Sequence, residues 1–166
     1  MTAVPAVAAI LAGFVLAHAA WSISDLPNGD GFVPLAVVVV KGERHLQRFA
    51  ATTADEAVAK GRAAMRTAMS SAEAWAFAYD DVTAIRGQRS RAIHVEFWSK
   101  GMAAPATLVQ TYEPMTDSTR FKIIVEPTIR IGGAPPDGNP KSESLRNVHK
   151  GIASHQRVAS LWETWR

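Results

Sequence analysis

The feature that most constrains this chain is its uncharged start. The first charged side chain is Asp25, and all of the 18 Lys+Arg and 15 Asp+Glu lie from there onward. The stretch Pro5 to Ile23 is almost wholly apolar, and about 20 such residues are what a membrane-spanning helix needs. Its composition argues otherwise. Many of its residues are Ala and Gly, His18 and Ser22 interrupt it, and no Lys or Arg precedes it to set an orientation. A secretory leader is a second reading, because Ala17-His18-Ala19 has the small-x-small form of a cleavage site, although the positive n-region is missing. Periodicity gives a third. Val7, Ile10, Leu11, Phe14, His18 and Trp21 recur every three or four residues as one bulky stripe of a helix. Opposite lies a small side of Ala8, Ala9, Ala12, Gly13, Ala19 and Ala20. A helix that is apolar all round belongs between two packed surfaces. The segment is therefore expected to be a buried helix, in the core or between subunits, in a cytoplasmic protein with no membrane partner.

The rest of the composition sets the frame. A length of 166 residues suits one ordinary domain, which buries roughly 70% of the surface its unfolded chain exposes. Five Trp, six Phe and two Tyr beside a charged fraction of 20% describe a chain that folds. There is no cysteine, which removes disulfides, thiolate metal sites, iron–sulfur clusters and cysteine nucleophiles together. A net charge of +3 is too small to demand a polyanion, so no nucleic-acid partner is expected.

Beyond the first helix, Leu26-Pro27-Asn28-Gly29-Asp30-Gly31 is a loop. Phe32 to Val40 reads as a strand whose Val37–Val40 run implies cover on both faces. Lys41-Gly42 reads as a two-residue hairpin turn, and Glu43 to Phe49 as a polar return strand. Thr53-Ala54-Asp55-Glu56 is a capping box that opens an amphipathic helix over about 54–70. Ala74 to Tyr79 alternates, with Trp75, Phe77 and Tyr79 on one face and Ala74, Ala76 and Ala78 on the other. An all-Ala face lets a helix approach closely. Asp80-Asp81 is expected to bend the chain before a short strand over 82–85. Further strands are expected over 91–98, 107–112, 121–126 and 128–131. Residues 1–131 then form an α+β core domain, 132–141 a Gly/Pro linker, and 142–166 one C-terminal amphipathic helix, docked on the same domain or on a partner subunit. The fold class is α+β: an antiparallel sheet of about five to six strands, with helices at the N-terminus, after the first hairpin and at the C-terminus. This order is similar to that of profilin-like and roadblock-type scaffolds, a topological analogy that implies no function.

Candidate chemistry is sparse. His94 and Glu96 stand at i and i+2 of a strand, on one face and about 7 Å apart. A carboxylate beside an imidazole fixes its tautomer and raises its basicity, and His45 is the one addition from another strand. Two side chains do not make a catalytic constellation. Asp25, Asn28 and Asp30 lack the terminal acidic residue of a calcium loop, and Asp80-Asp81 reads as a turn. Arg86, Arg89 and Arg91 crowd one hairpin, where they form a solvated tip or meet an acidic partner. The C-terminal segment brings Trp162 and Trp165, which with Phe14, His18, Trp21 and the hairpin arginines Arg86, Arg89 and Arg91 are the expected interaction residues. Phosphate-loop, dinucleotide, zinc and serine-hydrolase motifs are all absent, so no cofactor or metal is expected and an enzyme is disfavoured. The leading expectation is a protein that works through protein contacts, as a homo-oligomer or a complex subunit. The runner-up is a small-molecule binder or enzyme with a pocket beside the sheet at His94 and Glu96. A third is an exported or anchored protein.

Overall fold

The computed structural model describes residues 4–85 and 87–166. Helix α1 (Ala6–Ile23) is followed by a 3-10 turn at Pro27–Gly29 and the hairpin β1 (Leu35–Val40) and β2 (Glu43–Arg48). Lys41 and Gly42 both take positive φ, 51° and 78°, the geometry that matches a tight turn to the twist of its strands. Helix α2 (Ala54–Ala68) begins as its capping box requires, with the Glu56 amide donating to the Thr53 hydroxyl at 3.2 Å. Then come β3 (Ala74–Ile85), β4 (Gln88–Ser99), β5 (Ala106–Glu113), β6 (Lys122–Ile123), β7 (Thr128–Ile131) and α3 (Glu143–Ser154), with a last 3-10 turn at Trp162–Trp165. The fold is α+β, with three helices on an antiparallel sheet of seven strands. Its order is β2-β1-β3-β4-β5-β6, and β7 pairs with β5 alongside β6.

The two sides of the sheet are filled differently. On one side Ala74, Ala76 and Ala78 join Leu35, Val37, Ile93, Val95, Phe97 and Leu108 beneath α1 and α3. The all-Ala face does admit a helix at close range, and the helix presents its own small side. Ala8, Ala9, Ala12, Ala19 and Ala20 are fully buried. α1 and α3 also approach closely at Gly13 and Gly151. A Cβ on Gly13 would stand 1.9 Å from the Val148 carbonyl oxygen, and one on Gly151 2.0 Å from that of Ile10. On the other side, Ala36, Val38, Trp75, Phe77 and Phe49 pack beneath α2.

Three expectations need correction. Asp80-Asp81 does not bend the chain: β3 runs unbroken for 12 residues, because Asp80 turns inward to pair with Arg91 and to accept from the Tyr112 hydroxyl at 2.8 Å. The helix expected over 142–166 ends at Ser154. A straight continuation would carry its last residues past the core, whereas the bend after His155 lets Val158, Trp162 and Trp165 pack into it. The strand expected over 121–126 shrinks to Lys122–Ile123, because Val125 adopts φ 56° and turns the chain.

Candidate functional site

The helix-α2 side of the sheet is only half covered, and the cross-strand register maps the rest. One row runs Phe77, Glu96, Thr107, Arg130, and the next Tyr79, His94, Val109, Thr128. Side chains in register lie on one face. α2 passes over the β3 end of these rows, with Gly61 against the Phe77 ring. Beyond it, β4, β5 and β7 form the floor of an open cleft of about 380 Å³. His94, Thr107, Val109, Thr111 and Thr128 line the floor, and Thr83, Val125, Glu126, Arg130 and Pro136 the walls.

Arg62, the residue after the α2 glycine, marks the boundary. Its Nε and Nη2 donate to Glu96 Oε2 at 2.9 and 2.7 Å, and the Tyr79 hydroxyl donates to the same oxygen at 2.8 Å. Burial, reinforced by the Glu96 carboxylate, pushes the Tyr79 phenol above its ordinary range, so it remains a donor. Glu96 thus shares a face with His94 but serves Arg62 and Tyr79. His94 instead stacks on the Tyr79 ring, 5.3 Å between centroids and 9° from parallel. Its Nε2 is buried with no hydrogen-bond partner. Burial outweighs the nearby carboxylates of Asp81, Glu96 and Asp80 and holds His94 below the ordinary imidazole range. The ring is therefore neutral at neutral pH, with one nitrogen able to donate and one to accept.

The opposite wall is held under strain. Val125 is β-branched, has φ 56° and is 64% exposed, a conformation that costs about 1–3 kcal/mol and persists where surrounding structure enforces it. Gln110 does the enforcing. Its fully buried side chain donates to the carbonyls of Ile124 and Val125 at 3.1 and 3.0 Å. Glu126 is gripped by His149 at 3.2 Å and Arg166 at 3.1 Å. Arg130 has no carboxylate partner among the described residues. Nor do the described residues hold any group of three or more His, Asp and Glu that could bind a metal ion.

The other sequence candidates lie elsewhere. His45 is exposed on β2 beside Glu43, three strands from His94 in the sheet order. Arg86 lies outside the described residues. Arg89 is exposed on β4, while Arg91 pairs with Asp80, donates to the Asn28 carbonyl at 2.9 Å and lies over the Tyr112 ring. Trp162 and Trp165 are buried, the latter edge-on to Phe121 at 5.1 Å. Phe14, His18 and Trp21 are half-buried on the outward side of α1, and His18 Nδ1 meets His155 Nε2 at 3.0 Å. Sequence reasoning did not single out Thr107, Thr111, Thr128 and Arg130. The alternation of Thr107, Val109 and Thr111 along one strand face was the available signal. No family model matches the chain, and no curated protein or solved structure is similar to it.

Proposed function

We propose that this is a small-molecule-binding protein whose site is the cleft on β4, β5 and β7. The observation that carries the reading is the neutral His94 ring on the floor of an open concavity lined by threonines and Arg130. Nε2 is closed off, so a ligand group bonds the ring's other nitrogen, Nδ1, which is not among the buried atoms. The cleft chemistry names the ligand class. Threonine hydroxyls donate or accept, and the Arg130 guanidinium presents a fork for an acid group. The ligand is a small hydroxylated molecule with one carboxylate or phosphate. The size fits, since ligand sites span roughly 300–1,000 Å³.

Binding rather than catalysis follows from Glu96. With its Oε2 occupied by Arg62 and Tyr79, it does not act as a partner that drives His94 as a general base.

Thermal-shift and calorimetric titrations with glycolate, lactate, glycerate and glycerol 3-phosphate test the proposal. At least one probe binds, and His94→Ala and Arg130→Ala each weaken it by about tenfold or more, the loss expected for a charged or buried hydrogen bond. Failure of all four probes, or binding indifferent to both substitutions, overturns it.

A further inference from the structure

The bulky stripe of α1 is not the side that the fold buries. Of its members only Leu11 is buried. Ile10, Phe14, His18 and Trp21 are half-buried and Val7 is 59% exposed. The apolar line therefore lies along the outer surface of the α1 layer, on the side of the sheet opposite the cleft.

Two neighbouring segments flank this line with positive charge. On β2, Arg44, Leu46 and Arg48 pair with Val39, Val37 and Leu35, which pack toward α1, so all three side chains lie on the α1 side. Arg44 sits over the Phe14 ring at 4.7 Å, and Leu46 is 44% exposed. After α3, Arg157 sits over the Trp21 ring at 5.4 Å. None of Arg44, Arg48 and Arg157 has a carboxylate partner among the described residues. A guanidinium stacked on an aromatic ring keeps its N–H edge available to fork onto a carboxylate. We infer that this face docks an acidic segment of a partner protein, whose carboxylates meet Arg44, Arg48 and Arg157 while its apolar side chains cover Leu46, Phe14 and Trp21.

The charges select this occupant over the alternatives. β2 is the end strand of the sheet, so a second copy of the chain has an edge to pair with. Antiparallel self-pairing centred on Leu46, however, sets Arg44 opposite Arg48 twice, and like charges directly opposite are destabilising. A bilayer requires apolar side chains to protrude and cations to reach outward to headgroups. Here Arg44 and Arg157 lie folded over Phe14 and Trp21 instead. An acidic, partly apolar polypeptide matches both halves of the surface.

The test uses the full chain and two labelled synthetic peptides of alternating Glu and Leu or alternating Lys and Leu, followed by fluorescence anisotropy. The Glu–Leu peptide binds the wild type and weakens as salt is raised. Arg44→Glu/Arg48→Glu reduces that binding by about tenfold or more and transfers preference to the Lys–Leu peptide. Arg157→Glu, on a separate segment, weakens it independently. These arginines are surface residues, and unchanged thermal unfolding of each variant shows that the fold is intact. The inference is overturned if the wild type ignores the Glu–Leu peptide, if both peptides bind alike, or if the double reversal changes nothing. It is equally overturned if light scattering finds a dimer that the double reversal dissociates, or if phosphatidylglycerol vesicles bind the face in preference to the peptide.

Discussion

His18 and His155 show how one contact sets the behaviour of two residues. Their rings share a hydrogen bond of 3.0 Å, so one nitrogen must accept, and at least one ring gives up a proton to make it. The charged side chains that act on them are cationic: Arg48 on His18 and Arg157 on His155. Burial is the largest cause that holds both imidazoles below the ordinary value of 6.5, aided at His18 by His155 and then Arg48, and at His155, against a backbone hydrogen bond, by Arg157; burial does the same to His94. With folded values below the unfolded one, the unfolded chain takes up protons first as the solution is acidified. The stability these groups contribute is complete above about pH 6.5 and is lost as the pH falls below it. Urea unfolding from pH 8 to pH 5 should show a free energy that drops below about 6.5. His155→Asn keeps a hydrogen-bonding group without the titration and should flatten that drop. A slope identical to the wild type would place the acid sensitivity elsewhere.

Elements are where the sequence was most and least legible. Thr53 to Glu56, Lys41-Gly42 and the alternation of Trp75, Phe77 and Tyr79 are local instructions, and each is realised within a few residues of where it is written. The bend expected at Asp80-Asp81 fails because the partners of Asp80, Arg91 and Tyr112, arrive from other strands. The early end of α3 fails for the same reason, as its cause is the position of the core under Trp162 and Trp165. Glu96 follows this pattern in the site. Its face was legible from the strand period, but its partner Arg62 comes from a helix 34 residues earlier. Between α1 and α3 the nonlocal information sits in two glycines. At Gly13 and Gly151 the obstacle to a methyl group is backbone of the facing helix, at 1.9 and 2.0 Å. Alanine would gain about 1 kcal/mol of helix propensity, but separating two packed helices costs more. Gly13→Ala and Gly151→Ala should each destabilise by about 1–2 kcal/mol net, read as a lowered midpoint in denaturant. A neutral or stabilised variant would show that the helices do not meet at these positions.

For the whole molecule the decisive question is whether α1 is part of the fold or a removable leader, since both readings share one sequence. The structure supplies the physical weights. Eleven of the 18 residues of α1 are buried, and they face β3 and β4 on one side and α3 on another. Leu11, Val15, Leu16 and Ile23 are each at most 2% exposed. Full burial of each such side chain contributes roughly 1.5–3 kcal/mol, so four together are comparable with the entire stability of an ordinary domain, about 5–15 kcal/mol. Removal also bares Ala74, Ala76, Ala78 and the Leu145, Val148 and Ile152 side chains of α3 to water. A chain cut after Ala19, where the small-x-small pattern lies, would lose Leu11, Val15 and Leu16 along with the Gly13 contact. Residues 20–166 expressed alone should therefore show no cooperative thermal transition and should bind a dye for exposed apolar surface, whereas residues 1–166 melt in one step. If the shorter chain instead melts cooperatively at the temperature of the longer one, α1 contributes nothing to the core and is a removable leader. Addition of a synthetic peptide spanning residues 4–24 separates a missing layer from a damaged chain, because a chain that lacks only its α1 layer regains the transition when that layer is supplied.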